Sequence, residues 1–214
     1  MSDLTLGEQQ FLQRLSSRPC IIEEDAKKMY ESTVMAQEDD DVIRKNMADS
    51  IGRINRHLDS LGMVVKMVCL GPNVRYFALV NKLCDDIAKS FATSRSALEV
   101  AFFKLIIEKI VEDGIRMTAE NADEIDRNLS AGCKGTLSVL EAKNLRMDLP
   151  ESFRGKMNAY GAERAIEGFV DENWFIYRGK GRIEIGARTY MELPELLNRS
   201  GMEEMPQIVT HLSR

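Results

Sequence analysis

The stretch from Asn173 to Leu193 constrains the fold of this chain more than any other. An apolar and aromatic run, Trp174 to Tyr177, is followed by Gly179 and Gly181 bracketing Lys180, and Ile183 and Ile185 then resume at a spacing of two. Period-two spacing on both sides of a glycine-rich reversal predicts a β-hairpin. Just ahead of it, Ala162, Ala165, Ile166, Phe169 and Val170 recur at helical spacing, so a helix runs into the hairpin with almost no loop. Helix and then short hairpin predicts a winged helix, the helix-turn-helix variant with a β wing.

The same order of elements is expected earlier in the chain. Leu4, Phe11, Leu12 and Leu15 form a short amphipathic helix that Ser16, Ser17 and Pro19 end, and a second helix covers Ile22 to Val34 with Glu23, Glu24 and Asp25 in its first turn, where negative charge suits the helix dipole. The acidic run Glu38-Asp39-Asp40-Asp41 precedes a third helix, with apolar positions at Ile43, Met47, Ile51, Ile54, Leu58 and Leu61 and a stop at Gly62. Apolar runs from Met63 to Leu70 and Val74 to Val80 flank Gly71-Pro72-Asn73, a hairpin turn.

A second unit begins near Ser94 with a strongly apolar helix, Leu98 to Val111, which Gly114 is expected to stop. Thr118, Glu120 and Asn121 read as the start of another helix carrying Ile125 and Leu129; Ser130 to Gly135 reads as a turn, Thr136 to Leu145 as a short helix and Met147 to Gly155 as a loop. The expected class is therefore mainly α with small β hairpins (α+β), arranged as tandem winged-helix domains over 1–92 and 93–197, followed by a tail over 198–214.

A formal net charge of -5 argues against coating nucleic acid by bulk electrostatics, so any DNA contact must be local. The most apolar segments, Val100 to Val111 and Met63 to Val80, are broken by Lys104, Glu108, Lys66 and Arg75, well short of the roughly 20 apolar residues of a membrane span. Met1-Ser2-Asp3-Leu4 lacks the basic and apolar regions of a signal peptide, and Cys20, Cys69, Cys84 and Cys133 are scattered without a Cys-x-x-Cys pair, as suits reduced thiols inside the cell. His57 and His211 have no nearby cysteine or serine with a carboxylate in a nucleophile arrangement, and Gly179-Lys180-Gly181 lies inside a hairpin rather than between a strand and a helix. No catalytic residues are expected.

Two positive features remain. Arg178, Lys180 and Arg182 place three cations on the second wing, and Arg53 and Arg56 lie on the third helix, where each is a candidate DNA contact. Against this, Glu163, Glu167, Asp171 and Glu172 crowd the helix that would enter the major groove, and carboxylates repel phosphate.

The helix Ile51-Ile54-Asn55-Leu58-Leu61, the strand Tyr76-Phe77-Ala78-Leu79-Val80-Asn81 and the pattern Trp174, Ile183, Ile185-Gly186, Arg188, Glu192-Leu193 together resemble the first non-SMC element of the SMC five-six complex, a nuclear, chromatin-associated assembly of DNA repair, recombination and chromosome maintenance. The resemblance implies two tandem winged helices that bind a MAGE-like subunit and, through it, a kleisin-type subunit and the SMC subunits, with DNA contact weak or indirect. Phe11, Leu12 and Leu15, or the helix from Leu98 to Val111, are the candidate partner-binding residues, because the first helix is rich in large apolar side chains for its length and an amphipathic helix can bury such a face in a partner groove; the alternative is that they fill the domain's own core. The resemblance also implies a zinc-binding RING linked to ubiquitin ligase activity. A RING holds two zinc ions, each by a tetrahedral set of four ligands, whereas four cysteines and two histidines are available and only His211 follows Cys133. The RING, its zinc and the ligase activity are accordingly expected to be absent from this chain, as in a fragment, a short natural form or a lineage that has lost the domain.

Overall fold

The computed structural model describes residues 4–33, 40–82, 95–120 and 135–210, with 40–45 and 118–120 described by backbone alone. It divides into two compact units, Met1–Leu83 with Gln207–Arg214, and Cys84–Pro206.

In the first unit, α1 (Leu6–Ser16), β1 (Ile21–Ile22), α2 (Glu23–Thr33) and α3 (Asp40–Leu58) precede the hairpin of β2 (Met63–Gly71) and β3 (Val74–Asn81). Thr5 starts α1 through a capping box: its hydroxyl accepts from the Glu8 amide at 3.2 Å, while the Glu8 carboxylate accepts from the Thr5 amide at 2.9 Å. Gly62, at φ 67°, closes the short 3-10 turn after α3, and Asn73, at φ 62°, turns the hairpin. Sheet order is β1-β3-β2-β7, all antiparallel, with β7 (Ile208–Val209) on the outer edge of β2. The core packs Phe11 and Leu15 of α1, Ala26 and Tyr30 of α2, and Met47, Ile51, Ile54 and Leu58 of α3 against Val65, Met67 and Phe77 of the hairpin. Val64, Val68, Ala78 and Val80, on the alternate face of the same strands, are also buried.

In the second unit, α4 (Ala97–Glu120), β4 (Leu137–Ser138), α5 (Val139–Asn144) and α6 (Ala159–Asp171) precede the hairpin of β5 (Phe175–Arg178) and β6 (Arg182–Ile185), and α7 (Ala187–Glu192) and α8 (Pro194–Arg199) follow. Sheet order is β4-β6-β5, again antiparallel. Helix, strand, two helices and a hairpin, with the first strand beside the last, is the winged-helix order in both units. An aromatic cluster centres on Phe103 of α4, whose ring centroid lies 5.1 Å from Phe169, 5.0 Å from Phe175 and 6.0 Å from Trp174.

Three differences from the sequence expectation have physical causes. The helix expected to stop at Gly114 continues to Glu120. Gly114 is buried where the chain entering β4 presses on the helix, and a Cβ on Gly135 would lie 1.8 Å from the Ile110 carbonyl oxygen and 2.6 Å from the Gly114 nitrogen. Gly114 therefore lies inside the helix rather than ending it, and the close approach requires a glycine at 135. The segment read as a helix from Thr136 begins instead with β4, too short to show any alternation. The stretch set apart as a tail contains β7, and Cys69 donates its amide to the Gln207 carbonyl at 3.0 Å, so these residues extend the first unit's sheet. The helix expected to carry Ile125 and Leu129, Glu38 and Asp39 of the acidic run, the Ile43 side chain, Cys84, Cys133 and His211 lie outside the described residues.

Candidate docking site

Helix α4 has two apolar faces. Phe102, Phe103, Ile106, Ile107, Ile110 and Val111 are fully buried in the core of the second unit. The opposite stripe, Ala97, Val100, Ala101 and Leu105 with Lys104 and Glu108 interspersed, lines a groove of about 650 Å³ whose other wall includes Pro150 and Phe153. A helix on the surface of a domain normally turns a polar face outward; this one keeps small and branched apolar side chains at i, i+3, i+4 and i+8, over roughly 16 Å of helix from Ala97 to Glu108. The second wall is held in place from both ends, because Leu149 and Met157 are buried and the amides of Phe153 and Arg154 donate to the Pro150 carbonyl at 2.8 and 3.0 Å.

The N-terminal end of the groove is fixed by charge. Arg95 lies with its guanidinium 4.9 Å from the Phe169 ring centroid, pairs with Glu99 at 3.2 Å and also pairs with Glu172. Arg188 stacks 3.9 Å over Trp174, pairs with Glu192 at 2.6 Å and reaches Glu172 at 3.5 Å, while the Trp174 indole donates to Glu172 at 2.9 Å. One carboxylate thus joins the start of α4 to the end of α6 and to α7. Burial opposes ionisation of Glu99, but the Ser96 amide and hydroxyl and the Arg95 guanidinium outweigh it, so its pKa falls below the ordinary carboxylate value. Glu99 is ionised at neutral pH and closes a second capping box, with Ser96.

The other candidate residues have different surroundings. Phe11 and Leu15 have 0% of their surface exposed; the Phe11 ring meets Tyr30 edge-on at 5.6 Å, and Leu12 packs, half-buried, against the same core. The expectation that α1 offers Phe11 and Leu15 to a partner is corrected: they fill the core of their own unit. On the wing, Arg178 donates to Glu184 at 2.7 Å, and Arg182 donates to the Thr136 hydroxyl and carbonyl at 2.6 and 2.8 Å. Lys180 stands exposed at the hairpin tip, at φ 64°. Two of the three wing cations are therefore already matched within the protein. Arg53 is likewise engaged, by Glu8 at 2.6 Å and Ser50 at 2.9 Å, whereas Arg56 is exposed. Among the described residues no three His, Cys, Asp or Glu side chains converge as metal ligands, and no helix is long and apolar enough to cross a membrane.

The second stripe of α4 was legible in part, since the run from Leu98 to Val111 has too many apolar residues for one face. Pro150 and Phe153 gave no signal, because a turn carries no periodicity.

Comparison with known proteins adds an independent line. The family described as the Nse1 non-SMC component of the SMC5-6 complex matches residues 8–193. A solved chain from a structure titled "Nse1-Nse3-Nse4 complex" superposes with a TM-score of 0.65 at 24% identity, over 90% of this chain and 73% of that one; at this identity the likeness speaks for the fold. No curated protein gives a significant match.

Proposed function

This chain belongs to the family of Nse1 non-SMC components of the SMC5-6 complex, and on that basis we propose that it works as a structural subunit that docks a MAGE-like subunit through the groove on α4. The kleisin-type and SMC subunits are reached through that assembly, which acts on chromosomes in the nucleus during DNA repair. The observation that supports this reading is the second apolar stripe of α4, Ala97, Val100, Ala101 and Leu105, walled by Pro150 and Phe153. Apolar surface left on a rigid helix contributes about 25 cal/mol per Å² when covered, and a groove of this length suits an amphipathic helix of the partner. The solved complex of Nse1, Nse3 and Nse4 is a precedent in a related protein.

The role is one of assembly and needs neither a metal nor a nucleophile. Direct DNA binding has weaker support, because Arg178 and Arg182 are matched by Glu184 and Thr136. The chain mixed with the MAGE-like subunit of the same organism is expected to elute as a single peak with the scattering mass of a one-to-one complex. Two peaks at the separate masses, at concentrations well above micromolar, would contradict the reading.

A further inference from the structure

Helix α6 has no acidic residue in its first turn and no basic residue in its last, so nothing in it compensates the helix dipole, and Asp171 at its C-terminal end opposes it. Glu163, Glu167 and Asp171 stand at i, i+4 and i+8, one row of like charges, a spacing that destabilises a helix. Lys143 relieves Glu163 at 3.0 Å, but Glu167 and Asp171 form no ion pair among the described residues. Arg164, the one basic residue of the helix, turns toward Tyr160, its guanidinium 6.0 Å from the ring centroid. Local conflicts of this kind collect at functional surfaces, where a binding partner removes them.

Two large aromatic side chains flank the row. Tyr160 is 65% exposed and Tyr177 is 56% exposed. Tyr177 shares a face of β5 with Phe175, whose ring packs against Phe169 of α6 at 5.9 Å, so the tyrosine continues that face alongside the helix. Partial burial, and then the carboxylates of Glu167, Asp171 and Glu163, push the Tyr177 phenol above its ordinary pKa, which places the ring in the field of all three. A winged helix that reads DNA needs cations on its third helix to meet phosphate. Here the same position offers carboxylates beside exposed tyrosine rings, the combination that attracts ammonium and guanidinium groups, and Tyr160 already draws the guanidinium of Arg164.

We propose that the face formed by α6 and β5 is a docking surface for a lysine- and arginine-rich segment of a protein partner, held by Glu167 and Asp171 and by the rings of Tyr160 and Tyr177. The surface is distinct from the α4 groove and stands or falls independently of it.

Fluorescence anisotropy of the full chain tests this with three labelled probes: a short peptide of lysines and arginines spaced by glycine and serine, its glutamate counterpart, and duplex DNA. The cationic peptide is expected to bind in preference to both others. The double variant Glu167→Gln, Asp171→Asn and the double variant Tyr160→Ala, Tyr177→Ala are each expected to weaken it by about tenfold or more. The carboxamide variant is expected to melt no lower than the parent, since it removes a repulsion, so its loss of binding is not unfolding. Glu203→Gln with Glu204→Gln, the same charge change at exposed positions elsewhere, is expected to leave affinity within about twofold. Equal binding of cationic and acidic peptides, tighter binding of DNA, or equal losses in the Glu203 and Glu204 control would overturn the proposal.

Discussion

Replacing Asn55 by leucine is expected to lower the stability of the first unit by about 3 kcal/mol and to release the strand that runs from Gln207 to Thr210. Asn55 is 5% exposed. Its carboxamide oxygen accepts from the Val65 amide at 2.7 Å, and its nitrogen donates to the Val65 carbonyl at 3.0 Å and to the Thr210 carbonyl at 2.9 Å. One side chain of α3 thereby fixes the start of β2 and the returning segment that supplies β7. Leucine has the same number of side-chain heavy atoms with the same branching, so no cavity opens; what remains is the loss of a partner at three backbone groups. Each stranded buried group costs about 1–3 kcal/mol, and the half-buried Thr210 carbonyl falls at the low end because water can reach it. Urea unfolding followed separately for the two units measures the drop, and amide exchange at Ile208 and Val209 reports the released strand. A variant with unchanged midpoint and unchanged exchange would show that the ladder between β2 and β3 holds these groups without Asn55.

The larger functional effect is expected from Ala101→Trp. Ala101 lies near the middle of the groove, between the turns that carry Ala97 and Leu105, and its neighbours in sequence, Phe102 and Phe103, point the other way into the core. An indole at this position fills the centre of the groove, where the proposed docking would seat a partner side chain, while leaving the core packing alone. Blocking the centre of a docking groove removes an anchor and leaves its surroundings unfilled, and an affinity loss of about 100-fold or more follows, equivalent to about 2.7 kcal/mol. Calorimetric titration with the MAGE-like subunit measures it, with the thermal midpoint of the free variant as the check on folding. Tyr177→Ala, on a different face of the unit, is expected to leave that affinity unchanged.

Much of this architecture could be read before any coordinates. The apolar runs of Met63 to Leu70 and Val74 to Val80 and the period-two spacing of Trp174 to Ile185 carried both hairpins, because each pair is interrupted by turn-forming residues at its reversal. The capping pairs Thr5 with Glu8, Ser96 with Glu99 and Ser138 with Glu141 stood in the sequence as Ser/Thr-x-x-Glu. What escaped was nonlocal. The two-residue strands β1, β4 and β7 have no period of their own and exist because a neighbouring strand offers an edge. Gly114 looked like a stop because a glycine alone does not say whether a helix continues past it, and what packs there, Gly135, lies outside α4.

The candidate sites divide along the same line. Phe11 and Leu15 were sound as large apolar residues on one face of α1, but a sequence does not say whether such a face meets its own domain or another; Phe11 meets Tyr30, and both residues belong to the first unit's core. The wing cations were visible as a cluster, while Glu184 and Thr136, which match two of them, come from across the hairpin and from the chain entering β4. The apolar residues of α4 fall on two faces, one in the core and one along the groove, and the second is what the proposed docking rests on.

The docking role of α4 is tested most directly by methyl-resolved NMR of the full chain, with the MAGE-like subunit added unlabelled. The methyl signals of Ala97, Val100, Ala101 and Leu105 are predicted to shift or broaden together as the partner is added, while those of Leu15 and Ile183, buried in the two cores, stay in place. Complex formation that leaves all four α4 signals untouched and moves others instead would show that the partner docks elsewhere.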